Sequence, residues 1–99
     1  MSIEGKVAII TGASSGIGYA TALALSKAGV KVAIGARRTD KLEQLENEIK
    51  KNGGDVLSQK LDVTKKTDCD AIVDQTIKKW GTVDILVNNA GLMPLSFVK

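Results

Sequence analysis

The residues best suited to chemistry in this chain form a turn that contains three glycines, Gly12, Gly16 and Gly18. Gly12 follows a short apolar run, and its missing Cβ lets the backbone bend sharply. Side chains at Gly16 and Gly18 would keep a ligand from the peptide N–H groups, or the following helix from its sheet. Those unpaired N–H groups and the positive end of the helix dipole attract anions. The turn therefore predicts a site for the diphosphate of a dinucleotide.

The spacing of this turn, T-G-x-x-x-G-x-G over residues 11–18, separates it from other phosphate-binding loops. It differs from the general G-x-G-x-x-G fingerprint of dinucleotide-binding folds, and it lacks the Lys-Ser/Thr pair of loops that bind nucleoside triphosphates. Two further segments read LDVT, at 61–64, and NNAG, at 88–91. Together the three motifs resemble the short-chain dehydrogenase/reductase family, in its order and at similar separations.

The resemblance implies that the 99 residues are the N-terminal portion of a single dinucleotide-binding domain without its catalytic portion. A complete member of the family is roughly two and a half times longer. The family's catalytic Ser and Tyr-x-x-x-Lys pair would follow Lys99, so no catalytic residue is predicted within the chain. The single tyrosine, Tyr19, is followed four positions later by Leu23, and histidine is absent. We therefore expect residues 1–99 alone to be inactive.

Apolar runs alternate with amphipathic stretches along the whole chain, which predicts four strands and three helices. The predicted strands cover 7–10, 30–36, 56–63 and 83–87, and the predicted helices cover 17–28, 40–52 and 67–80. Because such an alternation implies right-handed crossovers, we predict an α/β fold. Its sheet is parallel, doubly wound and Rossmann-like, but incomplete, with the strand order 3-2-1-4.

Helical spacing also predicts which face of each helix packs against the sheet. The faces predicted in this way are Ile17, Ala20, Thr21, Ala24, Leu25 and Ala28 in the first helix, Leu42, Leu45 and Ile49 in the second, and Cys69, Ile72, Val73, Thr76, Ile77 and Trp80 in the third. Cys69 is interpreted as core packing, because a single cysteine cannot form an internal disulfide and its spacing to other ligand types indicates no metal site.

The first and fourth strands diverge at their carboxyl ends in the predicted order, and both glycine-bearing segments end in the crevice between them. The family resemblance implies that the diphosphate and the adenosine ribose of the cofactor lie along the first glycine turn. The contacts that it assigns there are Gly12, Ser14, Ser15, Gly16, Ile17 and Gly18. Helix capping by a hydroxyl is the alternative for Ser14 and Ser15, and Thr11 is expected to brace the turn.

The end of the second strand is expected to select between the two nicotinamide cofactors, because the adenosine ribose lies over it. An acidic residue there would favour the free 2′-hydroxyl of NAD(H), but the resemblance aligns Ala36 with that position. Arg37 and Arg38 follow, and a guanidinium can form two hydrogen bonds to phosphate oxygens. We therefore predict NADP(H), with NAD(H) less favoured. The alternative is that both arginines are solvated loop charges or compensate Asp40.

Polar residues at the ends of the third and fourth strands complete the predicted cofactor site. The resemblance places the Asp62 carboxylate near the adenine amino group, with the Val63 backbone beside it. The alternative is that Asp62 caps the next helix or begins a turn toward Thr64. The contacts that the resemblance assigns after the fourth strand are Asn89, Ala90 and Gly91. For that segment, a simple turn signal is the alternative.

Composition limits the other classes of function. The chain has 14 basic and 11 acidic residues, scattered along it, and a net charge of +3. With one tryptophan, one tyrosine and one phenylalanine, it has few aromatic side chains for base stacking, so nucleic-acid binding is disfavoured. Residues 1–6 lack a secretory or transit pattern, and no apolar run approaches about 18 residues. We therefore expect a cytoplasmic protein without a membrane partner.

Two functions stay open from the sequence. In the first, the chain is the NADP(H)-binding part of an oxidoreductase that transfers hydride between the nicotinamide and a carbonyl or alcohol substrate, and the complete enzyme is a homo-oligomer. In the second, the chain is a non-catalytic nucleotide-binding module or a truncated, inactive product. A downstream Ser and Tyr-x-x-x-Lys pair would distinguish the enzyme from the binding module.

Overall fold

A computed structural model describes residues 3–14 and 16–89, in which four strands alternate with three helices. The elements are β1 (Val7–Thr11), α1 (Gly16–Lys27), β2 (Lys31–Ala36), α2 (Thr39–Lys51), β3 (Val56–Lys60), α3 (Lys66–Trp80) and β4 (Ile85–Asn88). Their types and order confirm the sequence prediction. None of the helices in this described part has the length and hydrophobicity that crossing a bilayer requires.

The strands form one parallel sheet in the order β3-β2-β1-β4, as predicted. Every residue of β1 is buried, because its continuous apolar run is covered on both faces of the sheet. At its carboxyl end, Thr11 pairs with Gly35 of β2 and with Asn88 of β4. The segments that follow β1, β2 and β4 therefore all leave the sheet at the carboxyl ends of the strands.

Two apolar clusters cover the opposite faces of the sheet. The first contains Ile10 together with Leu45 and Ile49 of α2. The second contains Ile9 together with Ile72 of α3. Neighbouring residues of a strand point to opposite faces, so adjacent isoleucines of β1 contribute to different clusters. Helices therefore pack against β1 from both faces of the sheet, and this packing fixes the position of the end of the strand.

The predicted packing face of α1 is mostly wrong, although Leu25 of that face packs partly against the first cluster. Its buried residues are Gly18, Ala22 and Ser26, spaced four apart, whereas Ile17 is 74% exposed. The alanines of the predicted face, Ala20, Ala24 and Ala28, are exposed as well. Because most residues of α1 are small or apolar, hydrophobic spacing cannot select a face. Instead, the stripe with the smallest side chains packs inward, where the helix can approach the sheet closely.

The third strand ends earlier than predicted, at Lys60 instead of Val63. The Leu61 N–H still donates to the Ala36 carbonyl, with an N–O distance of 2.9 Å. The next N–H, that of Asp62, donates to the Asp68 carboxylate instead of a neighbouring strand. Residues 61–63 therefore form a loop at the sheet edge, and Asp62 lies in that loop.

The predicted inward stripe of α3 is mostly confirmed. Cys69, Ile72, Val73 and Thr76 are buried, and Trp80 packs partly against the second cluster. Ile77 departs from the prediction, since 46% of its surface is exposed. Cys69 lies inside the cluster as expected, and burial raises the pKa of its thiol.

Candidate cofactor-binding site

The turn between β1 and α1 starts with the sharp bend predicted at Gly12, which has a φ of +65°. A side chain would be strained in this left-handed conformation. The next residue, Ala13, is buried, and its N–H donates to the Gly35 carbonyl of β2 at 3.1 Å. The start of the turn is therefore held against the neighbouring strand.

Gly18 determines how closely α1 approaches this turn. A Cβ built at Gly18 would collide with the carbonyl oxygen of Gly12 and would lie 2.8 Å from Nδ2 of Asn89. At Gly16, a Cβ would meet no atom within 4 Å among the residues that the structure describes. Packing therefore explains the glycine at 18 but not the glycine at 16. For Gly16, the predicted reason is the approach of a ligand to the backbone.

Side chains after β4 connect to the same turn through Thr11. The Thr11 hydroxyl donates to Oδ1 of Asn88 at 3.1 Å and accepts from the N–H of Asn89 at the same distance. The Asn89 side-chain amide donates to the Gly12 carbonyl at 3.3 Å. Thr11 therefore braces the turn as predicted. Through these bonds, the end of β4 holds the glycine turn at a defined position beside the crevice.

A cavity of about 390 Å³ opens beside this turn, at the carboxyl ends of the strands. Its lining contains the predicted contacts Gly12, Ser14, Arg37, Arg38, Asp62 and Val63, together with Ala36, Leu61 and Thr64. Cavities of this size, in the range of about 300–1,000 Å³, are typical of small-molecule sites. The fold thus brings three separate predicted segments together around one cavity.

The two arginines after β2 differ in their partners. Nη2 of Arg38 lies 3.0 Å from Oδ2 of Asp40, and both side chains are 66% exposed. Within the described part of the chain, Arg37 forms no ion pair. The alternative interpretation, compensation of Asp40, is therefore confirmed for Arg38. Ala36 is buried at the strand end, which carries no carboxylate of its own.

Asp62 is held by a tight turn on the opposite side of the cavity. Its Oδ1 accepts hydrogen bonds from the Thr64 N–H at 2.9 Å and from the Thr64 hydroxyl at 2.6 Å. These bonds hold the pKa of Asp62 below its ordinary value of 3.8, and the charge of Arg37 adds to the effect. The turn alternative is therefore confirmed. The helix-cap alternative is wrong, since the N-cap residue of α3 is Lys65.

Asp68 is a residue of this site that the sequence analysis missed. Its Oδ2 accepts the hydrogen bond of the Asp62 N–H at 3.0 Å, which ends β3 and orients the loop. Its own carbonyl accepts from Nε2 of Gln59 at 3.3 Å. The available signal was an acidic residue in the first turn of a helix, shortly after a strand end. Such residues bond to free N–H groups nearby.

Some predicted contacts lie away from the cavity or outside the described residues. Ser15, Ala90 and Gly91 are outside the described residues. Ile17 and Gly16 lie exposed at the start of α1. No group of His, Cys, Asp or Glu side chains in the described part could hold a metal ion.

Comparison with known proteins identifies the family. The family model described as short chain dehydrogenase matches residues 6–99. The chain belongs to this family. It is 50% identical over 96 residues to an uncharacterized oxidoreductase of Listeria monocytogenes, covering 97% of this chain and 39% of that protein. The chain therefore spans about two fifths of the length of this oxidoreductase.

Solved structures of related proteins show the same arrangement. L-sorbose reductase of Gluconobacter frateurii, complexed with NADPH and L-sorbose, is 39% identical, with a TM-score of 0.86, over 98% of this chain and 40% of that one. A short chain dehydrogenase/reductase of Burkholderia phymatum in complex with NAD is 29% identical, with a TM-score of 0.84, over 87% of this chain and 31% of that one. Related structures therefore contain either nicotinamide cofactor.

Proposed function

We propose that this chain binds NADP(H) as the cofactor-binding part of an oxidoreductase that acts on a carbonyl or alcohol substrate. The observation that carries the choice of cofactor is the end of β2. There the cavity is lined by Ala36, which is buried and has no carboxylate, and by Arg37, which has no ion pair among the described residues. A 2′-phosphate would meet a cation at this position and no competing anion on the strand end.

The cavity and the glycine turn fit such a ligand in three places. The open space at Gly16 and the start of α1 suit the diphosphate, since the N–H groups of the first helical turn can donate to it. Ser14 lines the same cavity as Arg37 and is proposed as a further contact of the cofactor. The ionised Asp62 can accept a hydrogen bond from the adenine amino group. Ser15, Ile17, Val63, Asn89, Ala90 and Gly91 are proposed as the remaining contacts.

When bound, the nicotinamide supplies the hydride chemistry, and the residues of this chain bind and orient the cofactor. Thr11 and Asn89 keep the glycine turn at the crevice, while Asp68 keeps the loop of Asp62 at its other side. No residue of the chain is assigned to proton transfer. Histidine is absent, and no tyrosine is followed four positions later by lysine.

The same sequence observation favours a second candidate, a nucleotide-binding module without catalysis. Both candidates require the cofactor site, and they differ in whether the natural protein has a Ser and a Tyr-x-x-x-Lys pair beyond residue 99. Its cytoplasmic location and its homo-oligomeric state also stay predictions.

Binding of the two reduced cofactors tests the proposal. Charge-assisted hydrogen bonds to the 2′-phosphate, worth about 1.5–3 kcal/mol in total, predict that the natural protein binds NADPH about 10- to 150-fold more tightly than NADH. The double variant A36D/R37I should reverse this preference, because it places a carboxylate where the 2′-phosphate would lie. Fluorescence titration measures both affinities. Equal affinities in the wild-type protein, or tighter binding of NADH, would contradict the proposal.

A further inference from the structure

The ion pair between Arg38 and Asp40 lies at the edge of the cofactor cavity. Arg38 lines that cavity and also the adjoining groove of about 600 Å³ between β2, β3 and α3. Its guanidinium is nevertheless bonded to Asp40, at 3.0 Å, on the side of α2. Asp40 lines neither space. The ion pair therefore orients the Arg38 guanidinium toward Asp40 of α2.

The start of α2 explains why this pair forms. Arg38 is the N-cap residue of the helix, and Asp40 lies in its first turn. A carboxylate is favoured there by the partial positive charge of the helix N-terminus. The two residues are only two positions apart in the sequence, so the pair forms without a long-range constraint. The Arg38 hydrogen bond lowers the pKa of Asp40, and a hydrogen bond from the Lys41 backbone contributes to the shift.

We infer that Asp40 is a specificity-determining residue that limits the preference of this site for NADP(H), because its carboxylate already binds the Arg38 guanidinium at the edge of the cavity. The inference rests on the proposed function. Arg37 is then the principal contact of the 2′-phosphate. Arg38 contributes only to the extent that the phosphate displaces Asp40. An exposed ion pair changes an equilibrium constant by about fivefold or less, so the restraint is weak enough to be released by one substitution.

The substitution Asp40→Asn tests the inference in the natural protein, because it removes the charge and keeps the size of the side chain. We expect NADPH to bind about three- to fivefold more tightly and the affinity for NADH to change less than about twofold. Glu43→Gln is the matched control. Glu43 is exposed on the same helix and forms no ion pair among the described residues, and its removal changes the net charge equally. This control should shift the NADPH affinity by less than about twofold.

A double-mutant cycle with Arg38→Ala shows whether Asp40 acts through Arg38. In the R38A background, we expect D40N to leave the NADPH affinity within about 1.5-fold. The inference is overturned if D40N does not tighten NADPH binding, if it tightens it equally without Arg38, or if E43Q has the same effect. Asp40→Ser provides a second variant should D40N not fold. A wild-type protein without preference for NADPH would instead refute the proposed function, which separates the two failures.

Discussion

Alanine substitutions at two glycines of one helix should differ in their effect on stability, and this pair of variants tests the assignment of the glycine turn most directly. Gly16 and Gly18 lie two positions apart in α1, and neither has a positive φ. The chemical change, one methyl group, is the same in both. The structure predicts a collision at Gly18 and open space at Gly16.

The expected magnitude for Gly18→Ala follows from the atoms that the methyl group would meet. It would collide with the Gly12 carbonyl oxygen, a backbone atom that also accepts the Asn89 amide. Overpacking of this kind costs about 1–3 kcal/mol, whereas the better helix propensity of alanine returns about 0.5–1 kcal/mol. Because the obstructing atom belongs to the backbone, the cost lies in the upper part of its range, and we expect G18A to lower the free energy of unfolding by about 1–2 kcal/mol. Binding of NADPH should weaken as well, since the turn must move.

Gly16→Ala should leave stability unchanged or raise it by up to about 0.5 kcal/mol, because its methyl group meets nothing and helix propensity improves. If the diphosphate lies against this backbone, the methyl group should still weaken NADPH binding about tenfold or more. Urea unfolding followed by circular dichroism, together with fluorescence titration of NADPH, measures both quantities. Equal stability of G18A and wild type, or a loss of stability in G16A as large as in G18A, would refute the packing argument. Unchanged NADPH binding by G16A would refute the position of the diphosphate.

Three further predictions concern catalysis, protonation and assembly. Residues 1–99 expressed alone should not oxidise NADPH with ketones or aldehydes, because the chain has no histidine and no Tyr-x-x-x-Lys pair; turnover above that of a Gly18→Asp control would place catalysis within the segment. Thr64→Val should raise the lowered pKa of Asp62 toward 3.8, as followed by carboxyl NMR. Because the folded-state pKa is depressed, the stability that T64V loses is present above about pH 4 and disappears as the pH falls through the folded-state pKa; a stability difference that persists at lower pH would contradict this cause. Finally, β4 is the last strand of the sheet and pairs only with β1 among the described strands, and its Leu86 is 39% exposed. The outer edge of β4 can therefore pair with another molecule, and we expect residues 1–99 alone to associate as the concentration rises. Light scattering and thermal melts over about a hundredfold range of concentration test this, and a monomer with a sharp, concentration-independent melt would show that the edge of β4 needs no partner.

The order and type of the elements could be predicted from the sequence because they depend on local patterns. The buried run of β1 and the amphipathic spacing of α2 carry strong periodic signals. The handedness of β-α-β crossovers then leaves few arrangements, and the order β3-β2-β1-β4 is among them. The bend at Gly12 was also predictable, since a sharp turn with positive φ follows from one residue's own conformational freedom.

Much of the candidate site could likewise be placed from the sequence. Thr11, the glycine turn and the segment after β4 had to meet at one sheet edge, because parallel strands 1 and 4 end there. For Asp62, the sequence left a helix cap and a turn toward Thr64 as alternative interpretations. The hydrogen bonds from Thr64 to Asp62 show that the turn is formed. In each case the relevant partners are close in sequence or are brought together by strand pairing alone.

Only the tertiary structure decided which face of α1 is buried, where β3 ends and which arginine is already paired. The face of α1 depends on the distance at which Gly18 lets the helix approach Gly12, and small residues all round the helix hide that choice from hydrophobic periodicity. The end of β3 depends on whether the Asp62 N–H finds a strand or the Asp68 carboxylate. The sequence shows which polar groups will need a hydrogen-bond partner. Only the folded chain determines which of several possible partners lies within hydrogen-bond distance.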